Sequence, residues 1–237
     1  VPDSIVVWPW RILKPTSVQP NPVAFTRSGG KSLGGLSRNT RTDRGWWSIA
    51  YRGVALTNPS QRRSWNMMRQ QFGGMAGSVA VPVWSHDLAE WPAGASNGEL
   101  LSPHSDGSPF SDGSLYSQRI PIDVEMVSLA EIGDTSVTLR LVYGINSLSG
   151  IRFSYNHALY ETGMPTLISG DEWTLPIFPA IRADIPAGAE LEVAMPTCLV
   201  KLAADRGMDV SFTAGRFDMV DVAFVEDTAY WNDLAVA

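Results

Sequence analysis

Hydrophobic and polar positions alternate along much of this chain, most clearly over residues 172–202, EWTLPIFPAIRADIPAGAELEVAMPTCLVKL. Trp173, Leu175 and Ile177 share one face of a first run. Leu191, Val193 and Met195 repeat the period in a second, with Glu190 and Glu192 turned the other way. Side chains of a strand point alternately to its two faces, so this stretch predicts a half-buried antiparallel pair joined by a Pro- and Gly-punctuated corner. The same period recurs at Ile120, Ile122, Val124 and Met126, at Val137, Leu139, Leu141 and Tyr143, and at Val220, Val222 and Phe224 before a short tail.

Upstream, the pattern predicts strands at Trp46–Tyr51 and Val54–Leu56, turned at Arg52–Gly53, and another over 79–84. The opening segment, with prolines at 9, 15, 20 and 22, reads as an extended arm on which Trp8 and Trp10 point the same way. FTRSGGKSLGGLSRNTRTDRG is glycine-rich and basic, and reads as a flexible loop or a long hairpin tip. One helix interrupts the β pattern. Asn58 suits its N-cap and Pro59 its first position, Gly73-Gly74 ends it, and Trp65, Met68 and Phe72 fall on one face. Arg62 and Arg69 flank that face, while Arg63 and Gln70 lie opposite. Residues 85–118 read as a long irregular segment containing SDG twice. The expected fold is mainly β: an antiparallel β-sandwich or barrel with one flanking α-helix near 59–72 and long loops. A boundary near 120 would separate 1–120, with the helix and the long loop, from 121–237. The second half forms either another sandwich or strands completing one shared barrel.

Composition narrows the class. No apolar run approaches the roughly 20 residues a membrane helix needs, and the start VPDSIVVWPWRILKP lacks the basic n-region and small-residue cleavage site of a signal peptide. The single cysteine, Cys198, sits in a strand-like run, cannot form an intrachain disulfide, and is expected to be a buried, inert thiol in a protein folded in a cytosolic environment. The net charge of −6 hides a division. Residues 1–120 hold 12 Lys and Arg against 7 Asp and Glu, net +5, and residues 121–237 hold 6 against 17, net −11. The arginines are scattered, with no nucleic-acid motif beside them, so the asymmetry points to complementarity between subunits rather than DNA recognition. Nine tryptophans suit interfaces or sugar-stacking platforms as well as a core. Adjacent Trp46 and Trp47 should place one ring in the core and the other outward.

Catalytic patterns fail on context. GKSLG at 30–34 matches G-x-S-x-G, but a nucleophile elbow needs a strand before it and a helix after it. His86, His104 and His157 have no metal-ligand spacing and read as surface histidines. The SDG repeats read as Asp-Gly turns, and the acid pairs Asp171-Glu172 and Glu226-Asp227 as solvated edges. No catalytic, cofactor-binding or metal-ligating residue is assigned, and no enzymatic activity is expected.

Two blocks carry a family resemblance. The first runs from FTRSGG through DRGWWSIAYRGVAL and RRSWNMMRQQFGGMAG to VAVPVWS. The second runs from LSGIRFSYNHALYETG through WTLPIFPAIRADIPAGAELEVAMPTCLVKL to GRFDMVDVAFVED. The chain resembles the distal tail proteins of long-tailed bacteriophages and gene-transfer-agent particles in its strand-turn-strand, helix and "VPV" strand, and in its Pro-x-x-Arg corner, Pro-Ala-Gly and "P-T-C-L" strand. The resemblance implies a tail-tube-like, ring-forming β domain over 1–120 in a virion protein assembled in the host cytoplasm. It also implies a ring, usually of six subunits, between tail tube and hub or tip, with a lumen through which DNA passes without sequence-specific binding. On this reading the subunit contacts fall on Arg62, Arg63, Trp46 or Trp47, on the 85–118 segment, and on the 27–44 loop with Lys31, Arg38 and Arg41. A carbohydrate-binding β-sandwich is the alternative.

Overall fold

The computed structural model describes residues 5–31, 34–35, 37–83, 99–102, 108–109, 111–112, 116–119, 122–144, 147–210 and 218–236. The protein is mainly β, built from two antiparallel sheets and two helices. In the first sheet the spatial order is β1 (Ser17–Lys31), β2 (Ser37–Ala55), β13 (Met219–Glu226), β12 (Thr197–Leu202) and β3 (Val79–Pro82). The second sheet runs β6 (Asp123–Met126), β7 (Ser136–Tyr143), β11 (Glu172–Phe178), β9 (Ala158–Thr162) and β8 (Arg152–Tyr155), with β10 (Leu167–Ser169) also on β11. A separate ladder pairs β4 (Glu99–Ser102) with β5 (Tyr116–Arg119).

The expected helix is α1, Pro59–Phe72. The Asn58 side chain accepts the Gln61 N–H and Gln61 reaches back to the Asn58 N–H, a reciprocal cap that starts the helix, and Gly73 ends it at φ 53°. Trp65, Met68 and Phe72 are buried on the first sheet, where Phe72 stacks on Phe224 at 5.6 Å. Trp8 meets Tyr51, Trp65 and Phe224 edge-on in the same core. It is Trp8 that enters this core, whereas Trp10 is only half-buried, because the chain turns over 10–13 and the Trp8 indole donates to Leu13 O.

The second sheet closes on itself. Gly188 N–H donates to Met126 O and Leu191 N–H to Val124 O, while Ser154 and Glu192 exchange both of their backbone bonds. Segment 188–193 thereby joins the edge strands β6 and β8 into a small barrel, filled by Val124, Leu139, Phe153, Tyr160, Leu175 and Val193.

This closure corrects the pairing expected over 172–202. The two runs do not pair with each other: β11 lies between β7 on one side and β9 and β10 on the other. The second run keeps its alternation, with Leu191 and Val193 buried and Glu190 and Glu192 exposed, but forms only isolated bridges until the strand resumes at Thr197. Pro179, Pro186 and Pro196 supply no ladder donors, and the corner between the runs is far longer than a hairpin turn.

Arg52–Gly53 is likewise not a turn. β2 runs through it, and these two residues face the single Asp221 of β13 as a bulge with Gly53 at φ 64°. Asp221 accepts the Gly53 N–H and the Arg52 guanidinium at 2.8 Å each, which holds its carboxyl below the ordinary range. The short tail after the last strand is helix α2, Thr228–Val236, which Asp227 caps by accepting the Tyr230 N–H while Trp231 is buried. The segment 85–118 contains β4 and most of β5, so it is not wholly irregular. His86, His104, the first SDG and Gly113 of the second lie outside the described residues. Residues 121–237 divide between the bodies: 122–196 make the barrel, then β12 and β13 return to the first sheet, with β13 between β2 and β12.

Candidate interaction surface

The 27–44 stretch forms the outer part of a long antiparallel hairpin, β1 with β2, registered from Ser17↔Arg52 to Lys31↔Ser37. Pro20 and Pro22 sit on β1, the edge of the sheet, where a missing N–H is tolerated. The third strand, β13, accompanies β2 only as far as Ser48↔Val225. Beyond that point β1 and β2 continue as a two-stranded arm with seven registered residue pairs, from Pro22↔Trp47 to Lys31↔Ser37, about 30 Å at the usual rise per residue. Ala24 to Gly30 are all exposed, including Phe25 at 52%, as are Asn39 and Thr40 on the facing strand. Lys31, Arg38 and Arg41 lie on the arm's two strands. GKSLG falls at its tip, with a strand rather than a helix following, and its Ser32 and Leu33 lie outside the described residues.

A buried ionic clamp holds the root of this arm. Glu226, at the end of β13, accepts the Trp47 N–H at 3.0 Å and the Arg182 Nε–H at 2.8 Å. Arg182 also donates to Gly45 O, and its own N–H goes to the Tyr160 hydroxyl at 2.9 Å. One guanidinium from the barrel therefore ties β2 to its neighbour β13 where the arm leaves the sheet. A Cβ on Gly45 would fall 2.1 Å from the Phe178 ring, so only glycine fits this root. Burial raises the Glu226 carboxyl above its ordinary value against the opposing pull of Arg182, and it pushes the Tyr160 phenol well above the usual range.

Sequence reasoning missed this clamp by reading Glu226-Asp227 as a solvated edge. Both residues are buried, and Asp227 bonds the Ser78 hydroxyl. The signal was available: Glu226 has the same parity as Val222 and Phe224, which places a carboxylate on the core face. Trp47 is also fully buried, with its indole donating to Leu159 O at 2.8 Å. Of the adjacent pair, therefore, the half-buried Trp46 alone retains surface for a contact.

Trp46 lines a cleft of about 470 Å³ at the arm's root, with Arg44, Ile132, Arg182, Trp231 and Asn232 among its walls. The Trp231 indole N–H is buried and finds no hydrogen-bond partner among the described residues. On α1, Arg63 is exposed, while Arg62 is half-buried and bonds Leu56 O at 3.2 Å and Asp218 at 3.3 Å. The structure thus brings Trp46 to the arm root beside Arg44, and leaves Arg62 and Arg63 on a separate helix.

The barrel carries the opposite charge. Residues 122–196 hold ten Asp and Glu against three Arg, whereas residues 23–46 hold five Lys and Arg against one Asp. Across four neighbouring segments Glu190, Glu125, Arg140 and Glu172 stand in register. Arg140 bonds Glu125 at 2.6 Å and Glu172 at 2.8 Å, with Asp171 at 3.7 Å.

The remaining expected sites are chemically quiet. Cys198 is buried, and burial pushes its thiol up. His157 occupies a two-residue turn with Asn156 between β8 and β9, both at positive φ. It is half-buried rather than on the surface, and its Nδ1 lies 2.8 Å from Thr197 Oγ1. Among the described residues no group of three or more His, Cys, Asp and Glu is placed to hold a metal ion, and no helix is long and apolar enough to cross a membrane. No protein-family model matches the chain, and no curated protein matches it in sequence.

Proposed function

We infer that this chain is a structural, non-enzymatic component of a phage-type virion tail tip. It would form a ring of six subunits that joins the tail-tube protein to the hub and tip proteins and leaves a channel for DNA. The observation that carries this reading is the arm: a basic two-stranded ribbon held firmly at its root and exposed beyond it. An isolated two-stranded hairpin is marginal in water and gains stability by adding strands or packing on a surface. A closed ring uses head-to-tail contacts between unlike faces, and a chain with a basic arm and an acidic barrel supplies two such faces. The carbohydrate-binding alternative is less well supported, because all seven described tryptophans are buried or half-buried.

Light scattering with negative-stain imaging of the same fractions tests the reading. The expected result is closed rings, formed alone or on adding tail-tube protein. A chain that stays monomeric with the tube protein and is retained on a glycan column overturns it.

A further inference from the structure

We propose that the arm docks on the outer face of the acidic barrel of a second copy of this chain; this rests on the ring reading above and specifies its contact. Three features of the molecule converge. The arm carries net +4 over residues 23–46, and it exposes Phe25 and Arg27 with no third strand along it among the described residues. The barrel carries net −7 over residues 122–196, and its one in-register arginine, Arg140, is already engaged by Glu125 and Glu172. Glu190 stands directly opposite Glu125, and facing like charges repel. A cation from another molecule relieves that repulsion.

Among the described residues, the chain leaves the outer arm uncovered. Arg182, Glu226, Trp47 and Gly45 fix the arm where it leaves the body, and from Ala24 to Gly30 it remains exposed and, among the described residues, pairs with β2 alone. The barrel also offers apolar footing, since Val142, Met164, Leu167 and Ile168 are exposed at its β7, β10 and preceding-loop positions. Phe25 is the side chain of the arm suited to that footing. Opposite charges steer and orient the encounter, and burial of apolar surface then holds it.

Charge reversal in the full-length chain tests this, with self-association followed by sedimentation and folding checked by circular dichroism. One variant reverses the arm, Arg27→Glu with Lys31→Glu. Another reverses the barrel, Glu190→Lys with Asp171→Lys, leaving Glu125 and Glu172 to hold Arg140. Each should weaken self-association at least tenfold, and raising salt should weaken the wild type. Mixing the two variants, or combining all four changes in one chain, should restore association. Wild-type assembly that neither reversal changes overturns the arm–barrel contact while the ring reading stands. A wild type that stays monomeric at every concentration and with tube protein overturns both. If the arm reversal abolishes binding to duplex DNA and leaves self-association intact, the arm belongs to nucleic acid and the proposal fails.

Discussion

Glu226 and Arg182 show how single residues decide the geometry of this protein. Their side chains are 1% and 15% exposed, so neither charge is freely solvated. Removing one partner of a buried pair strands the other, at a typical cost of about 3–5 kcal/mol. Glu226→Ala should therefore lower unfolding free energy by about that amount in urea titration at neutral pH, and Glu226→Gln by less, since an acceptor remains for the Trp47 N–H. His157 bears on acid behaviour. Burial lowers its imidazole below the ordinary value of about 6.5, so the unfolded chain takes up its proton first as pH falls. Stability should decline from about pH 6.5 downward until the folded-state value is passed. His157→Asn keeps a residue that tolerates positive φ, and should flatten the dependence of the melting midpoint between pH 7 and 5.

At the scale of elements, α1 and β13 follow their sequences closely. Asn58, Pro59, Gln61 and Gly73 define the ends of α1 through contacts within four residues, and such signals read locally. The hairpin was legible as one of two alternatives, but its length was not. Nothing between Phe25 and Gly45 alternates strongly enough to announce a strand, because its outer part faces water on both sides. Arg52–Gly53 misled for a related reason: a glycine at positive φ serves a turn and a bulge equally, and the neighbour, Asp221, lies far along the chain. The arm's independence gives an element-scale prediction. Replacing residues 24–44 with a two-residue Asn-Gly turn removes strand beyond the clamp whose described side chains are exposed except for the half-buried Thr42, so the monomer's thermal midpoint should change little. A large drop in calorimetry would mean the arm packs on its own body.

For the whole molecule, the two bodies interlock through the chain's return. β13 sits between β2 and β12, so a fragment 1–120 lacks the strands that join β2 to β3. Expressed alone, that fragment should show no cooperative unfolding by circular dichroism, whereas the full chain should. The sequence by itself determined helix α1, the alternating faces of β6, β7, β11 and β13, and how charge divides between the halves. Alternation, helix caps and composition are local properties. Only the tertiary structure decided the closure of the barrel by segment 188–193, the return of β12 and β13 to the first sheet, and the ion pair that fixes the arm's root. Each of these depends on hydrogen bonds between groups far apart in sequence. A strand's alternation specifies a buried face, but not the partner along its edge.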